Sequence, residues 1–243
     1  MITKLTGTVA KRMKKSRVIV TDVNRTISKN KLCNPFNGFL PIVREDIREC
    51  DLKISRVYLT VFALGALNKL NVRDSLKNFV LKTYHKSLNG VDGRVDEGVE
   101  KIMKAHLSPG VKEFFDVAKD FGEPKKVVVL TRNFDFVAKA AAKILGATDY
   151  VSNDIEYDEN GVAKLLMRNA EDRKRLIKEK LKQRYDIGIE DSTFLGDKYE
   201  DDFVPFKGSR VFIASPYAEK IVKESADFAP LSYLHARNQI LAY

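Results

Sequence analysis

Three short apolar runs constrain this chain more than any other feature: Val18-Ile-Val-Thr21, Val127-Val-Val-Leu130 and Thr193-Phe-Leu-Gly196. None alternates apolar with polar. Each therefore predicts a strand buried on both faces, as in parallel sheets covered by helices. Each is followed at once by a polar or acidic residue: Asp22, Thr131 and Asp197.

Helical patterns separate these runs. Val111 to Phe121 is amphipathic, Phe134 to Leu145 is a second helix, and Glu171 to Tyr185 is a strongly charged third. Asp149 to Val151 reads as a further strand. Ile155 to Tyr157 and Val162 to Met167 read as a hairpin around Asp158-Glu-Asn-Gly161. Val211 to Ala214 supplies another strand, and helices near Tyr217–Ala226 and Leu231–Leu241 close the chain. From Pro41 to about His106 the spacing is helical, with a turn cluster at Asn89 to Gly93. Alternation on both sides of a helical block predicts an α/β fold: a Rossmann-like parallel-sheet core, residues 1–30 and 108–243, with a helical cap subdomain, residues 31–107, inserted.

Composition removes several classes. Hydrophobic residues are 44% of the 243, too many for a disordered chain. The densest apolar stretch, Val57 to Leu67, is too short to cross a membrane and contains Thr60 and Gly65. Cys33 and Cys50 alone make neither a disulfide framework nor a zinc site. Met1 to Arg17 is basic without a secretory apolar stretch, so the expected location is the cytoplasm. A formal charge of +10 invites a nucleic-acid partner, but no helix-turn-helix, zinc spacing or aromatic-rich basic motif accompanies it. Nucleic acid is not the expected partner.

In open parallel sheets, ligands bind beyond the carboxyl ends of the strands. There the sequence places Asp22, with Asn24 and Thr26 on the same segment; Thr131, then Arg132 and Asn133; and Asp197, with Asp201 four residues on. Lys174 stands near the start of the charged helix. A carboxylate at a strand end can attack phosphorus. Further carboxylates suit Mg²⁺, a cation of oxygen ligands, while a hydroxyl and an ammonium can hold phosphoryl oxygens. Plainer roles compete. Asp22 can cap a strand end, and Thr131 can cap the helix that follows. Lys174 shares its helix with Arg173, Arg175 and Lys178 on what reads as a solvated face, and Asp197 and Asp201 can belong to an acidic turn. His85, His106 and His235 are scattered and read as structural or surface residues.

Taken in order, these segments resemble the haloacid dehalogenase superfamily, mostly phosphatases and phosphotransferases. Its first motif, an apolar strand then Asp-x-Asp-x-Thr, reads here Val18-Ile-Val-Thr-Asp22-Val-Asn24-Arg-Thr26. Its strand ending in Ser or Thr resembles Val127-Val-Val-Leu-Thr131, and its helix-start lysine is best matched by Lys174. Its Gly-Asp followed by an acid is Gly196-Asp197-Lys-Tyr-Glu-Asp201. An all-helical insertion between the first two motifs is similar to the type 1 cap of phosphoserine-phosphatase-like members. The resemblance implies a phosphatase of a small phosphorylated substrate, with Asp22 as nucleophile. It implies phosphoryl binding by Thr131, Arg132 and Lys174, and Mg²⁺ held by Asp22, the carbonyl of Asn24, Asp197 and Asp201.

The departure is Asn24, where the family's phosphatases carry the acid that protonates the leaving group and activates water. A carboxamide exchanges no proton near neutral pH, and general acid–base catalysis contributes about 10²–10⁴-fold. The residues leave three routes: a binding protein with little turnover; an activated substrate or a different acid such as Glu190, Asp191 or Glu200; or an engineered trapping substitution at Asn24.

Overall fold

In the computed structural model, Val18–Thr21 forms β1, with all its residues buried. The structure describes residues 6–28, 100–101, 103–157, 163–166, 170–197, 210–212 and 232–243. After β1 come helix α2 (Val111–Asp120), β2 (Lys126–Phe134), α3 (Asp135–Leu145), β3 (Asp149–Tyr157) and β4 (Ala163–Leu166). Then follow α4 (Ala170–Tyr185), β5 (Ser192–Gly196), β6 (Arg210–Phe212) and α5 (Tyr233–Leu241). Helix α1, Thr6–Lys15, precedes them all. The expected helices of residues 41–99 and 217–226, and Asp201, Glu200 and His85, lie outside the described residues.

The described strands form one six-stranded sheet in the order β4-β3-β2-β1-β5-β6. All neighbours are parallel except β3 and β4, which form the predicted hairpin with Asp154 opposite Leu166 and Tyr157 opposite Ala163. The first hairpin strand is not separate. Ser152 to Asp154, too polar to read as strand, carry β3 through without a break because Asn153 still pairs with Phe134 of β2 and Asp154 with β4.

Strand alternation sorts the core into two layers. Ile19, Val127, Val129 and Leu195 face α2, α3 and α5. Val18, Val20, Val128, Leu130 and Phe194 face Ile177 and Leu181 of α4. Those two residues, one helical turn apart, are enough to seat an otherwise charged helix. Its far end is pinned at the amino edge of the sheet, where Lys180 and Arg184 both pair with the buried carboxylate of Asp149.

The basic N-terminus is a packed helix rather than a solvated arm. Ala10 and Met13, one turn apart, are wholly buried while Lys11, Lys14 and Lys15 face outward. The helix lies against α5, and Lys14 Nζ sits 5.2 Å from the Tyr243 ring centroid. Among the described residues, no helix is long and apolar enough to cross a membrane. Met13→Ala empties a fully packed site, so a loss of about 2–5 kcal/mol is expected in urea unfolding. An unchanged midpoint contradicts the docking of α1.

Candidate active site

The chain passes from β1 outward through β2 and β3, then returns to the other side of β1 as β5 and β6. β1 therefore stands at the switch point, where a crevice opens beyond the carboxyl edge. Thr21 is level with Val129 on one side and Leu195 on the other. Thr131 and Asp197 are each two residues beyond those partners, and Asp22 is one beyond Thr21. With strands about 4.8 Å apart, the register brings Asp22, Thr131 and Asp197 to one spot. All three are buried, at 9%, 2% and 3% exposure. Burial at a sheet edge is expensive for such groups unless they have partners.

The segment after Asp22 is a tight turn, Val23–Ile27, in which Arg25 takes a left-handed conformation at φ 57°. The Asp22 amide donates to Leu195 O at 2.9 Å, which ties the turn's start to β5. The Asp22 carboxylate makes no capping bond to the Val23–Ile27 turn. Instead Thr26 Oγ1 donates to its Oδ2 at 3.2 Å and lies 3.4 Å from the carbonyl oxygen of Asn24. Asn24 itself is half-buried.

The turn closes on the returning chain. Ser28 bridges antiparallel to Leu107. The Ser108 amide donates to Ile27 O at 2.8 Å, and its hydroxyl to Thr26 O at 3.3 Å. The chain thus leaves the core and returns to it side by side. Gly110 follows at φ +78°, and a Cβ there would meet Leu234 Cγ at 2.7 Å, so only glycine lets α5 approach.

Thr131 is not the cap of α3, which begins only at Asp135. Strand β2 runs on to Phe134, but its register with β3 shifts between Leu130 and Phe134. Residues 131–133 therefore form a bulge at the carboxyl edge, a device that re-aims side chains. Arg132 lies in that bulge.

Lys174 is placed by α4. The Lys180 end of this helix is held at the amino edge by Asp149. Six residues at 1.5 Å each bring Lys174 about 9 Å back toward the carboxyl edge. Its ammonium pairs with Glu171 of its own helix at 2.6 Å. With Glu171 and Asp172 in the first turn, a cation there opposes the helix dipole less than the sequence alone indicates. Arg173, read as part of a solvated face, is only 4% exposed. Its spacing of four and eight from Ile177 and Leu181 was the available signal.

Glu190 and Asp191 are not substitute acids. They precede β5, and Asp191 O accepts from the amide of Arg17 just before β1. That is the amino edge, on the order of 15 Å from Asp22 along a five-residue strand.

Among the described residues, no group of three His, Cys, Asp or Glu side chains gathers as a metal site. The oxygen donors that the register sets at adjacent strand ends are Asp22 and Asp197, with Asn24 on the adjoining turn. These are hard oxygens, a set that fits Mg²⁺ and not a soft metal. Sequence reasoning also missed Tyr233. It opens α5, is buried, and its hydroxyl has no hydrogen-bond partner among the described residues. Burial first, then the charge of Asp22, pushes its phenol well above the ordinary range. The apolar context of Tyr233 masks it in the sequence, because only the fold brings α5 against Phe114 and Phe115 of α2.

A doubly wound parallel sheet with a buried carboxylate at its switch point defines a Rossmann-like α/β domain whose ligands meet the first strand's end. A family model of haloacid dehalogenase-like hydrolases matches residues 20–201, and the chain belongs to that family. Comparison with curated protein sequences returns no match. Among solved structures, apo phosphoserine phosphatase is 18% identical with a TM-score of 0.51, over 94% of this chain and 99% of that one. A protein of unknown function from Bordetella pertussis Tohama I is 14% identical with a TM-score of 0.60, over 88% and 98%. Cytosolic 5'-nucleotidase IIIB bound to cytidine is 12% identical with a TM-score of 0.54, over 99% and 90%. At these identities the likeness is one of fold.

Thr26→Val keeps the shape and removes the donor to Asp22 Oδ2. A bond to a buried carboxylate implies a loss of about 1.5–3 kcal/mol at pH 7, measured by urea unfolding. A loss below about 0.5 kcal/mol contradicts the bond's role.

Proposed function

We propose that this protein is a Mg²⁺-dependent phosphohydrolase of a small phosphorylated metabolite, acting through an aspartyl-phosphate on Asp22. The observation that carries the reading is the convergence of buried Asp22, Thr131 and Asp197 at the switch point. The Asp22 carboxylate attacks phosphorus as the bond to the leaving oxygen breaks, and water later hydrolyses the acyl phosphate. The Thr131 hydroxyl, Lys174 and Arg132 hold the phosphoryl oxygens. Asp22, the Asn24 carbonyl and Asp197 would hold Mg²⁺, with Asp201 in support. When bound, the ion offsets the repulsion between an anionic nucleophile and an anionic phosphate.

Residues 31–107 act as a helical cap over this site in the proposal. Support comes from the Ser28–Leu107 bridge, which brings the two ends of that block together beside the Asp22 turn.

Asn24 sets the chemistry apart. With no proton donor at that position, with Glu190 and Asp191 at the wrong edge and Glu200 outside the described residues, the proposal has the leaving group depart without protonation. The expected substrates are phosphates with good leaving groups. Asn24 also favours a second reading, a phosphate-binding protein with no turnover. Wild-type protein with Mg²⁺ is expected to hydrolyse acyl or aryl phosphates well and alkyl phosphates poorly. Asn24→Asp is expected to speed alkyl phosphates by about 10²–10⁴-fold, and Asp22→Asn to abolish both. Phosphate release assays decide. Inactivity of wild type and Asn24→Asp alike on every ester contradicts the catalytic reading and favours binding alone.

A further inference from the structure

Among the described residues, two that are not glycine take a left-handed backbone: Arg25 at φ 57° and Asp186 at φ 51°. Asp186 has a local reason. It directly follows α4, where a left-handed residue commonly ends a helix, and the next amide, of Ile187, donates to Leu181 O at 3.0 Å. Aspartate also enters this region more readily than most residues. Arg25 has neither reason. It stands inside the Val23–Ile27 turn, which glycine or asparagine would make with less strain. Such strain gathers at active sites and ligand clamps.

The turn sets where the Arg25 side chain starts. Val23 and Ile27 are wholly buried in the core, and Thr26 is buried against the Asp22 carboxylate. Asn24 is half-buried, and Arg25 is exposed. The other residues thus tie the turn to the sheet and leave Arg25 outward at the carboxyl edge. Arg25 is joined directly to Thr26, whose hydroxyl lies 3.2 Å from Asp22 Oδ2. Three residues span at most about 11 Å, so a charged, solvated side chain rises from the rim of the crevice that a ligand of Asp22 must enter. The forked N–H donors of a guanidinium match a carboxylate or a phosphate two bonds at a time.

We propose that Arg25 is a specificity-determining residue of this site, its guanidinium receiving a second anionic group, a carboxylate or a second phosphate, carried by the phosphorylated substrate. The proposal rests on the phosphohydrolase reading. It goes further by naming the substrate class: phosphate esters with another anion a short distance from the phosphorus.

The test compares kcat/KM on the full chain with Mg²⁺ for phenyl phosphate, its ortho-, meta- and para-carboxy derivatives and the matching phenylene bisphosphates. The series varies the spacing between the anions, and its two arms separate carboxylate from phosphate. Wild type is expected to prefer one of the doubly anionic esters over phenyl phosphate by about fivefold, the upper end for an exposed ion pair. Arg25→Asn keeps a residue tolerant of the left-handed turn and removes the charge. It is expected to bring that ratio to near one. Arg25→Lys, which keeps the charge, is expected to restore part of it. A wild-type ratio within about twofold of one on every ester overturns the proposal and leaves the phosphohydrolase reading standing. So does a preference that survives Arg25→Asn, or a loss in Arg25→Asn that is equal on all the esters, which marks a residue that only shapes the turn. Wild type that hydrolyses none of the esters, phenyl phosphate included, overturns both.

Discussion

The placement of one carboxylate organises this molecule. Asp22 is carried into the carboxyl edge of the sheet by a strand buried along its whole length, and it stays buried itself. An ionised group in that position must be compensated. The fold supplies the Thr26 hydroxyl from a turn so tight that Arg25 is forced left-handed. It then secures the turn through Ser28, Ser108 and the returning chain. Another buried carboxylate, Asp149, meets the same problem differently. Lys180 and Arg184 neutralise it at the opposite edge, which makes it a clamp for α4. At the carboxyl edge Asp22 accepts from a hydroxyl, and at the amino edge Asp149 meets two cations.

Much of the fold was legible because it rests on periodicity. Both central strands of the first motif and its neighbour are continuous apolar runs, and the amphipathic spacing of α2 survives in any context. The parts that were not legible depend on tertiary packing. In α1, Ala10 and Met13 are two apolar positions among lysines, and they become a helix face only when α5 covers them. In β3, a polar centre continues as strand because partners on both sides hydrogen-bond it.

The site divides along the same line. Asp22, Thr131 and Asp197 were readable because each directly follows or ends a strand, and parallel register then converges them without further information. Lys174 was readable as a position, but its ion pair with Glu171 was not. Glu190 and Asp191 looked adjacent to the site because they are close to Asp197 in sequence. A strand reverses that inference, since it carries its two ends to opposite edges of the sheet. Arg173 and Tyr233 were missed for a common reason: a helix hides which of its polar residues face inward until the sheet beneath it is known.

The account stands on Asp22 as the group that bonds phosphorus. Incubation of the protein with Mg²⁺ and acetyl phosphate, followed by acid quench and peptide mass mapping, tests this directly. The expected result is an acid-stable, hydroxylamine-labile phosphoryl adduct on the peptide that contains Asp22, absent from Asp22→Asn. Hydrolysis of acetyl phosphate with the label on another residue, or with equal rate in Asp22→Asn, would contradict it.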